Sequence, residues 1–169
     1  MNRKESIIKL YKELVIKKQG AKVTVKEMCQ EMGISRTTFY KYFKDAYDIM
    51  EYILVNDAIN QMKILCAEKL DKRTIIESWY VSFYENKEFY YYAMKDDGQN
   101  SLFNTLIQRL TEFNMKLYEN HFEQEDMEYY AYKYASLQAM LLKKWINDGM
   151  KVEPRKMVEY FITDLLNEH

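Results

Sequence analysis

The chain has 169 residues, enough for one domain, or for a module of about 50 residues joined to a larger unit. With 48 % hydrophobic residues, one proline and four glycines, the composition favours long helices around a substantial core. No apolar run approaches the roughly 20 residues of a membrane span, and the first residues are amphipathic, so we expect a soluble cytoplasmic protein without a membrane partner. Cys29 and Cys66 lack a CxxC spacing, which gives no sign of a disulfide framework or a zinc knuckle.

Charge is distributed unevenly along the chain. Residues 1–50 carry 11 lysines and arginines against six acidic residues, whereas residues 51–169 carry 14 against 20. A basic N-terminal part on a nearly neutral protein is a plausible surface for DNA, because phosphate contacts supply most of the non-specific affinity.

The N-terminal part reads as three short helices. Apolar residues at steps of three and four predict the first over residues 3–18. Thr24 and Glu27 form a capping box that opens the second helix, and Gly33 has the place of a left-handed residue that ends it. Ser35 is a suitable N-cap for a third helix, SRTTFYKYF, after a very short turn.

The remainder is also predicted to be helical. One long connecting helix should run from Asp45 to about Leu70, followed by an aromatic-rich stretch over residues 74–95 and a loop at residues 96–100. Further helices are expected at residues 101–120, through Tyr130, Tyr134, Leu137, Leu141 and Trp145 up to Gly149, and from Pro154 onward. We therefore expect an all-α protein of about nine helices, with an N-terminal bundle at 1–46 and a larger helical domain at 47–169.

The segment from Thr24 to Phe43 has the parts of a helix-turn-helix. Ile34 can fill the junction, and Phe39 and Phe43 can anchor the second helix to the core. Its outward side chains are polar or aromatic, none is acidic, and all can bond phosphates or base edges: Ser35, Arg36, Thr37, Thr38, Tyr40, Lys41 and Tyr42. The alternative is a small helical bundle on which these groups are an ordinary solvated surface.

The order of these residues favours the first interpretation. The segment GISRTTFYKYF, preceded by VTVKEM and followed by an aspartate-capped helix, closely resembles the DNA-binding signature of the TetR family of bacterial regulators over about residues 3–55. The resemblance implies a homodimer that binds a palindromic double-stranded DNA operator, and by family default a repressor released by a small-molecule ligand.

Position by position, the resemblance also implies roles in DNA contact. Arg36, Thr37 and Thr38 match base-reading positions of the recognition helix. Phosphate contacts are implied for the remaining candidates, Thr24, Tyr40, Lys41, Tyr42 and Lys44, with Ser35 at the start of the helix. This chain departs from the family at Ala46, where a lysine is usual, so Lys44 is left as the nearby backbone candidate.

Two later segments, residues 89–107 and 141–161, are similar to the branch of the family that contains the dihydroxyacetone kinase regulators. That similarity permits an alternative function, a co-regulator with the same fold whose C-terminal part binds another protein.

Aromatic side chains are candidates for an apolar or aromatic ligand pocket between helices, with a core that simply uses aromatic residues as the equal alternative. The candidates are Trp79, Phe83, Tyr84, Tyr91, Phe103, Phe113 and Tyr130.

The last two helices carry apolar residues on more than one face, which predicts a four-helix dimer interface. Its candidates are Leu137, Met140, Leu141, Trp145, Tyr160, Phe161 and Leu165.

Enzymatic interpretations find little support in the sequence. His121 and His169 are its two histidines, and no metal-ligand or nucleophile spacing surrounds them. Cys29 fits the core face of the second helix, and Ser101 fits a helix cap. We expect no catalytic residue, no metal and no cofactor.

Overall fold

The computed structural model describes residues 2–95, 98, 101–117, 119 and 123–166, apart from the side chains of residues 124, 125 and 163–166. Every regular element within those residues is helical, as predicted. The helices are α1 (Arg3–Lys17), α2 (Val25–Met32), α3 (Arg36–Phe39), α4 (Ala46–Leu54), α5 (Asn60–Ala67), α6 (Lys72–Glu85), α7 (Lys87–Ala93), α8 (Leu102–Leu117), α9 (Gln124–Asn147) and α10 (Pro154–Leu166), with a π-helical segment (Val55–Ile59) between α4 and α5.

The molecule has three parts. The head is residues 2–45, with α1–α3. The connecting helix is the continuous run of α4, the π segment and α5. The body is α6–α10.

Side-chain caps fix where several helices begin. Thr24 accepts a hydrogen bond from the Glu27 amide while the Glu27 carboxylate accepts one from the Thr24 amide, which is the predicted capping box. A side-chain oxygen also accepts a backbone amide hydrogen bond at the start of other helices, at Asn2, Ser35, Asp45, Asp71 and Ser101. The predicted caps at Ser35, Asp45 and Ser101 are therefore confirmed.

The connecting helix is continuous, as predicted, but it contains a π turn that the sequence pattern did not indicate. Within that turn the Asn56 side-chain amide donates to the Tyr52 carbonyl at 2.7 Å. Such wide turns are rare and are found most often at functional sites. The turn places Asp57 toward the head, where its carboxylate lies 3.0 Å from the Lys12 ammonium.

Close packing of α8 on α9 forms the centre of the body. A leucine stripe on α8 is fully buried, and it continues to the buried amide of Asn114, which donates to the Ala131 carbonyl at 3.3 Å. The facing side of α9 carries alanines, whose small side chains let the two backbones approach. The buried stripes are Leu102, Leu106 and Leu110 on α8, and Ala131, Ala135 and Ala139 on α9. The predicted helix is thus confirmed, with alanines on its buried face.

Polar contacts fasten α10 to α6 at the surface. Arg73 of α6 makes a two-pronged ion pair with Glu159, at 2.6 and 3.3 Å. Arg155 of α10 reaches back to Glu77 at 2.9 Å. Since both pairs are largely exposed, they contribute modestly to stability and mainly fix how the two helices meet.

The head packs directly on the body. Tyr11 of α1 makes an edge-to-face contact with Phe89 of α7, with ring centroids 6.3 Å apart. Gly20, with φ of +87°, lies so close to the Tyr92 carbonyl that a β-carbon there would be 2.5 Å from its oxygen. One apolar cluster includes buried residues of both parts, and the proposed boundary near residue 46 remains a prediction.

Two further expectations concern the whole chain. The interior loop expected at residues 96–100 lies, apart from Gly98, outside the described residues. Among the helices described, none combines the length and apolarity needed to cross a membrane.

Candidate nucleic-acid interface and ligand cavity

The turn between α2 and α3 has the geometry that the sequence predicted. Gly33 has φ of +62°, the left-handed conformation that glycine adopts without steric cost. The Ile34 amide then donates to the Cys29 carbonyl at 3.0 Å, which closes the end of α2. Ile34 itself packs against the core. The chain therefore turns within the three residues that separate α2 from α3 and presents α3 on the outside of the head.

The helix after the turn is shorter than predicted. We expected a helix over SRTTFYKYF, but α3 ends at Phe39, and the chain continues in turns. The Tyr42 amide bonds to the Phe39 carbonyl, three residues back, instead of the carbonyl four residues back. The β-branched and aromatic residues of this segment are weak helix formers, and the chain must bend to reach the cap at Asp45.

Two phenylalanines anchor the segment, as predicted. Phe39 is completely buried and Phe43 nearly so. The Phe43 ring meets Tyr52 of α4 edge to face at 5.6 Å, and the Lys4 ammonium lies 3.7 Å from the centre of that tyrosine ring. The orientation of this segment is thus tied to both α1 and the connecting helix.

Between the anchors the side chains point outward. We call residues Ser35–Tyr42, apart from buried Phe39, the reading edge. Tyr40 is 54 % exposed and Tyr42 is 39 % exposed. Arg36, Thr37 and Lys41 are exposed as well. The head therefore presents hydroxyl, guanidinium and ammonium groups on one projecting turn.

Some hydroxyls of the predicted interface already have partners within the head. Ser35 Oγ accepts from the Thr38 amide at 3.1 Å and lies 2.9 Å from Thr38 Oγ1. Thr24 Oγ1 is held between the Glu27 amide and carboxylate. These contacts leave Arg36 and Thr37 as the candidate base readers with the greatest freedom.

An ion pair sets the electrostatics behind the interface. The Lys18 ammonium lies 2.6 Å from the Glu27 carboxylate, and together with hydrogen bonds from Thr24 it lowers the pKa of Glu27 to about 2. The negative charge at this edge of the head is therefore compensated at neutral pH.

The flank of the interface is built around the start of α4. Lys44 is exposed, and its backbone amide donates to Asp48 at 2.8 Å. Ala46, where the resemblance leads one to expect a lysine, is half-buried and packs against the core. Lys44 thus remains the cation that this flank presents.

The predicted ligand residues do not share one cavity wall. Trp79 and Phe83 are buried in the core, with ring centroids 4.8 Å apart, and Phe83 packs on buried Tyr90 at 4.5 Å. Others of the set are half-buried: Tyr84, Tyr91, Phe103, Phe113 and Tyr130. The surroundings of Trp79 and Phe83 match the alternative interpretation, in which these residues belong to an aromatic core.

A cavity of about 260 Å³ lies between the connecting helix and α8, and Phe113 is the predicted residue that lines it. Arg109 crosses this space from α8 and makes ion pairs with Glu51 of α4 and, at 2.6 Å, with Glu112. Burial disfavours the Arg109 charge, but hydrogen bonds to Glu112 and Glu51 outweigh it and raise its pKa. The full lining is Glu51, Val55, Ile59, Lys63, Arg109, Glu112, Phe113 and Lys116.

Sequence reasoning missed the charged part of this lining. Arg109 and Glu51 lie 58 positions apart, and neither belongs to a recognisable motif. No local sequence signal could have predicted this pair, because it forms only where α8 packs on the connecting helix.

The predicted dimer residues divide into two groups. Leu137 and Met140 of α9 are 56 % and 60 % exposed, and Tyr160 of α10 is also exposed. Leu141 and Phe161 are half-buried, and the side chain of Leu165 lies outside the described residues.

Trp145 has a different position from the other dimer candidates. It is buried, stacks on Tyr84 and donates from its indole nitrogen to the Val152 carbonyl at 2.8 Å. The structure thus places Trp145 in the core of its own chain.

Two exposed tyrosines on α9 were not anticipated. Tyr129 is 79 % exposed and Tyr132 is 55 % exposed, on the N-terminal half of the helix that carries Leu137. Their helical spacing to Leu137 and Met140 was available in the sequence, but only Tyr130 of this aromatic run was named as a candidate, for the ligand pocket. The apolar face of α9 therefore extends further than the predicted dimer set.

Comparison with known protein families identifies the body. A TetR family model, described as a transcriptional regulator C-terminal region, matches residues 73–167. The match covers more than half of the chain and includes the whole body apart from the first residue of α6. No curated protein matches the chain.

Proposed function

This chain belongs to the TetR family of transcriptional regulators, and we propose that its head binds double-stranded DNA through the reading edge. The observation that carries the proposal is the exposed, acid-free turn held by buried Phe39 and Phe43. A short rigid element that projects donors without carboxylates suits the negative wall of a major groove. The family match covers the body, so the head supplies independent support.

The DNA-binding form is a homodimer. Leu137, Met140 and Tyr160 together leave an apolar face on α9 and α10 that a second copy would bury. Two-fold symmetry places two reading edges on one face of DNA, and such dimers bind half-sites about 34 to 36 Å apart. The operator is accordingly a palindrome.

Regulation follows the family default of a repressor released by a small molecule. A ligand held against the connecting helix would shift α4 and change the separation of the two reading edges. The placement of the chain in the branch with the dihydroxyacetone kinase regulators belongs to the proposal too, and rests on residues 89–107 and 141–161.

A second candidate function is a co-regulator whose body binds another protein. Exposed Tyr129 and Tyr132 favour it, because tyrosines on an open helix face are common in protein interfaces. One experiment, a gel shift of the operator by the purified protein, distinguishes the two functions. A DNA-binding repressor shifts its operator alone, whereas the co-regulator requires a second protein.

DNA binding is tested on a duplex selected from a random pool by the purified protein. We expect Arg36→Ala to weaken specific binding by about 1 to 3 kcal/mol, because it removes a base contact, and to leave non-specific binding nearly unchanged. Lys41→Ala should weaken binding to all sequences and flatten the salt dependence. Arg155→Ala, at an exposed side chain of α10, is the control and should change neither. Unchanged affinity in both head variants would show that the reading edge does not face DNA.

The dimer is tested by light scattering after size-exclusion chromatography at micromolar concentration. Met140→Lys should shift the mass toward the monomer, because it places a charge in a buried apolar contact. Met115→Lys, at an exposed methionine of α8, is the matched control and should leave the mass unchanged. A wild-type monomer at every concentration would contradict the dimer.

A further inference from the structure

The cavity between the connecting helix and α8 has the chemistry of a ligand site. We infer that it binds a small anionic amphiphile, namely a carboxylate attached to a short apolar chain or ring, and that this ligand controls the connecting helix. The inference deepens the proposed function and rests on it, since it names the class of molecule that would regulate DNA binding.

The charges of the lining favour an anion. Three cations, Lys63, Arg109 and Lys116, face two carboxylates, those of Glu51 and Glu112. Both carboxylates are already used by Arg109 through its two terminal nitrogens. One further negative charge would therefore neutralise the site.

One donor in the wall lacks an acceptor. Arg109 Nε is buried and has no hydrogen-bond partner within the part of the chain that the structure describes. A buried donor without a partner costs about 1 to 3 kcal/mol, which a carboxylate oxygen would recover. A carboxylate also matches the planar guanidinium fork better than a neutral acceptor does.

The remaining walls define the rest of the ligand. Val55 and Ile59 of the π segment and Phe113 of α8 supply the apolar part of the lining. At about 30 Å³ for each water-sized group, the cavity of about 260 Å³ admits roughly eight to nine such groups. A carboxylate with four to seven carbons, counted together with its two oxygens, fits this space.

Binding at this site would act on the connecting helix directly. Glu51, on α4, is tied to α8 by its ion pair with Arg109. A ligand carboxylate bound to Arg109 Nε would share the guanidinium charge with Glu51 and so weaken the tie between α4 and α8. Because Val55 and Ile59 lie in the π turn, the ligand also contacts the least regular part of the helix that joins head and body.

The test uses the full-length protein with straight-chain carboxylates from butanoate to octanoate, each compared with its neutral amide. Calorimetry should detect at least one carboxylate, bound tenfold or more tightly than its amide. The Nε–Hε signal of Arg109 should shift in NMR spectra, while the signals of the other four arginines stay in place. The same carboxylate should reduce operator affinity.

Variants locate the site. Arg109→Gln should lower carboxylate affinity at least tenfold, and the double variant Lys63→Gln, Lys116→Gln, which changes only exposed side chains, should lower it several-fold. The double variant keeps the test decisive if Arg109→Gln proves unstable. Arg155→Gln, at an exposed arginine that is not part of the cavity lining, is the matched control and should bind normally.

The outcomes separate this inference from the proposed function. No carboxylate bound, amides bound equally well, or full affinity in the cavity variants each overturns the ligand class, even where the protein binds its operator. Carboxylate binding by a protein that binds no DNA supports the cavity and overturns the proposed function instead.

Discussion

The head and the body of this protein are held together in different ways. In the head, order comes from contacts between near neighbours, such as the Thr24–Glu27 capping box and the left-handed Gly33. In the body, order comes from contacts between distant residues, such as the alanine stripe of α9 against the leucines of α8. The head is thus a small, locally determined unit, whereas the body depends on contacts between helices that are distant in sequence.

The difference has a consequence for function. A locally determined head can keep its shape while the body rearranges around it, which suits an element that is carried on the connecting helix. The aromatic residues show the same division. Near Phe39 in the head, some aromatic rings are buried and others are exposed to solvent. Near Phe83 in the body, the aromatic rings pack against one another.

The strongest test of this difference removes a buried ring from the head or from the body and measures hydrogen exchange in both parts. Phe39→Ala and Phe83→Ala each remove a fully buried ring, and each should cost about 3 to 5 kcal/mol. We expect hydrogen exchange to lose protection mainly in α2 and α3 for Phe39→Ala, and throughout the body for Phe83→Ala. Tyr40→Ala, at an exposed ring beside Phe39, is the control and should change stability by less than about 0.5 kcal/mol. Equal loss of protection in both parts after Phe39→Ala would refute a separately determined head.

Substitutions at two glycines compare the stability cost of a clash between head and body with the cost of a strained local backbone. Gly20→Ala should cost about 3 kcal/mol, because the added β-carbon collides with the Tyr92 carbonyl and the backbone keeps a positive φ. Gly33→Ala should cost about 1 kcal/mol, since its surroundings are open and only the conformation is strained. Urea denaturation measures both. A smaller cost at Gly20 than at Gly33 would show that the head does not rest on α7 in solution.

The smallest expected effect is the pH dependence of the Glu27 ion pair. Folding lowers the pKa of Glu27 from 4.5 to about 2, so the stabilisation is complete above pH 4.5 and is lost as the pH falls toward 2. Glu27→Gln should therefore destabilise the head at pH 6 and leave it almost unaffected near pH 2. Glu31→Gln, at an exposed position of the same helix, serves as the control. Thermal unfolding at the two pH values gives the comparison, and an equal effect at both would mean that Lys18 and Thr24 do not hold the carboxylate.

The head could be predicted from the sequence because its determinants are close together in the chain. Thr24 with Glu27, and Gly33 with Ser35, are signals that span four residues or fewer. The length of α3 was wrong because the turns after Phe39 depend on where α4 begins, which no pattern within the segment specifies.

Little of the body beyond its helices could be predicted. Alanines at residues 131, 135 and 139 carry no strong hydrophobic signal, yet they are fully buried in the body. The π turn at residues 55–59 lies in a regular helical pattern, and the pairing of Arg109 with Glu51 joins two helices that are far apart in sequence. Trp145 was assigned to a dimer surface because the pattern shows which residues are apolar but not which neighbour covers them.

Hydrogen exchange of the protein with and without its selected duplex tests the central claim most directly. If the reading edge contacts DNA, the duplex should slow amide hydrogen exchange at residues 36–42 and at the start of α2, and it should not slow exchange in α8. Protection confined to α9 or α10, or a protein that selects no duplex from the pool, would contradict it.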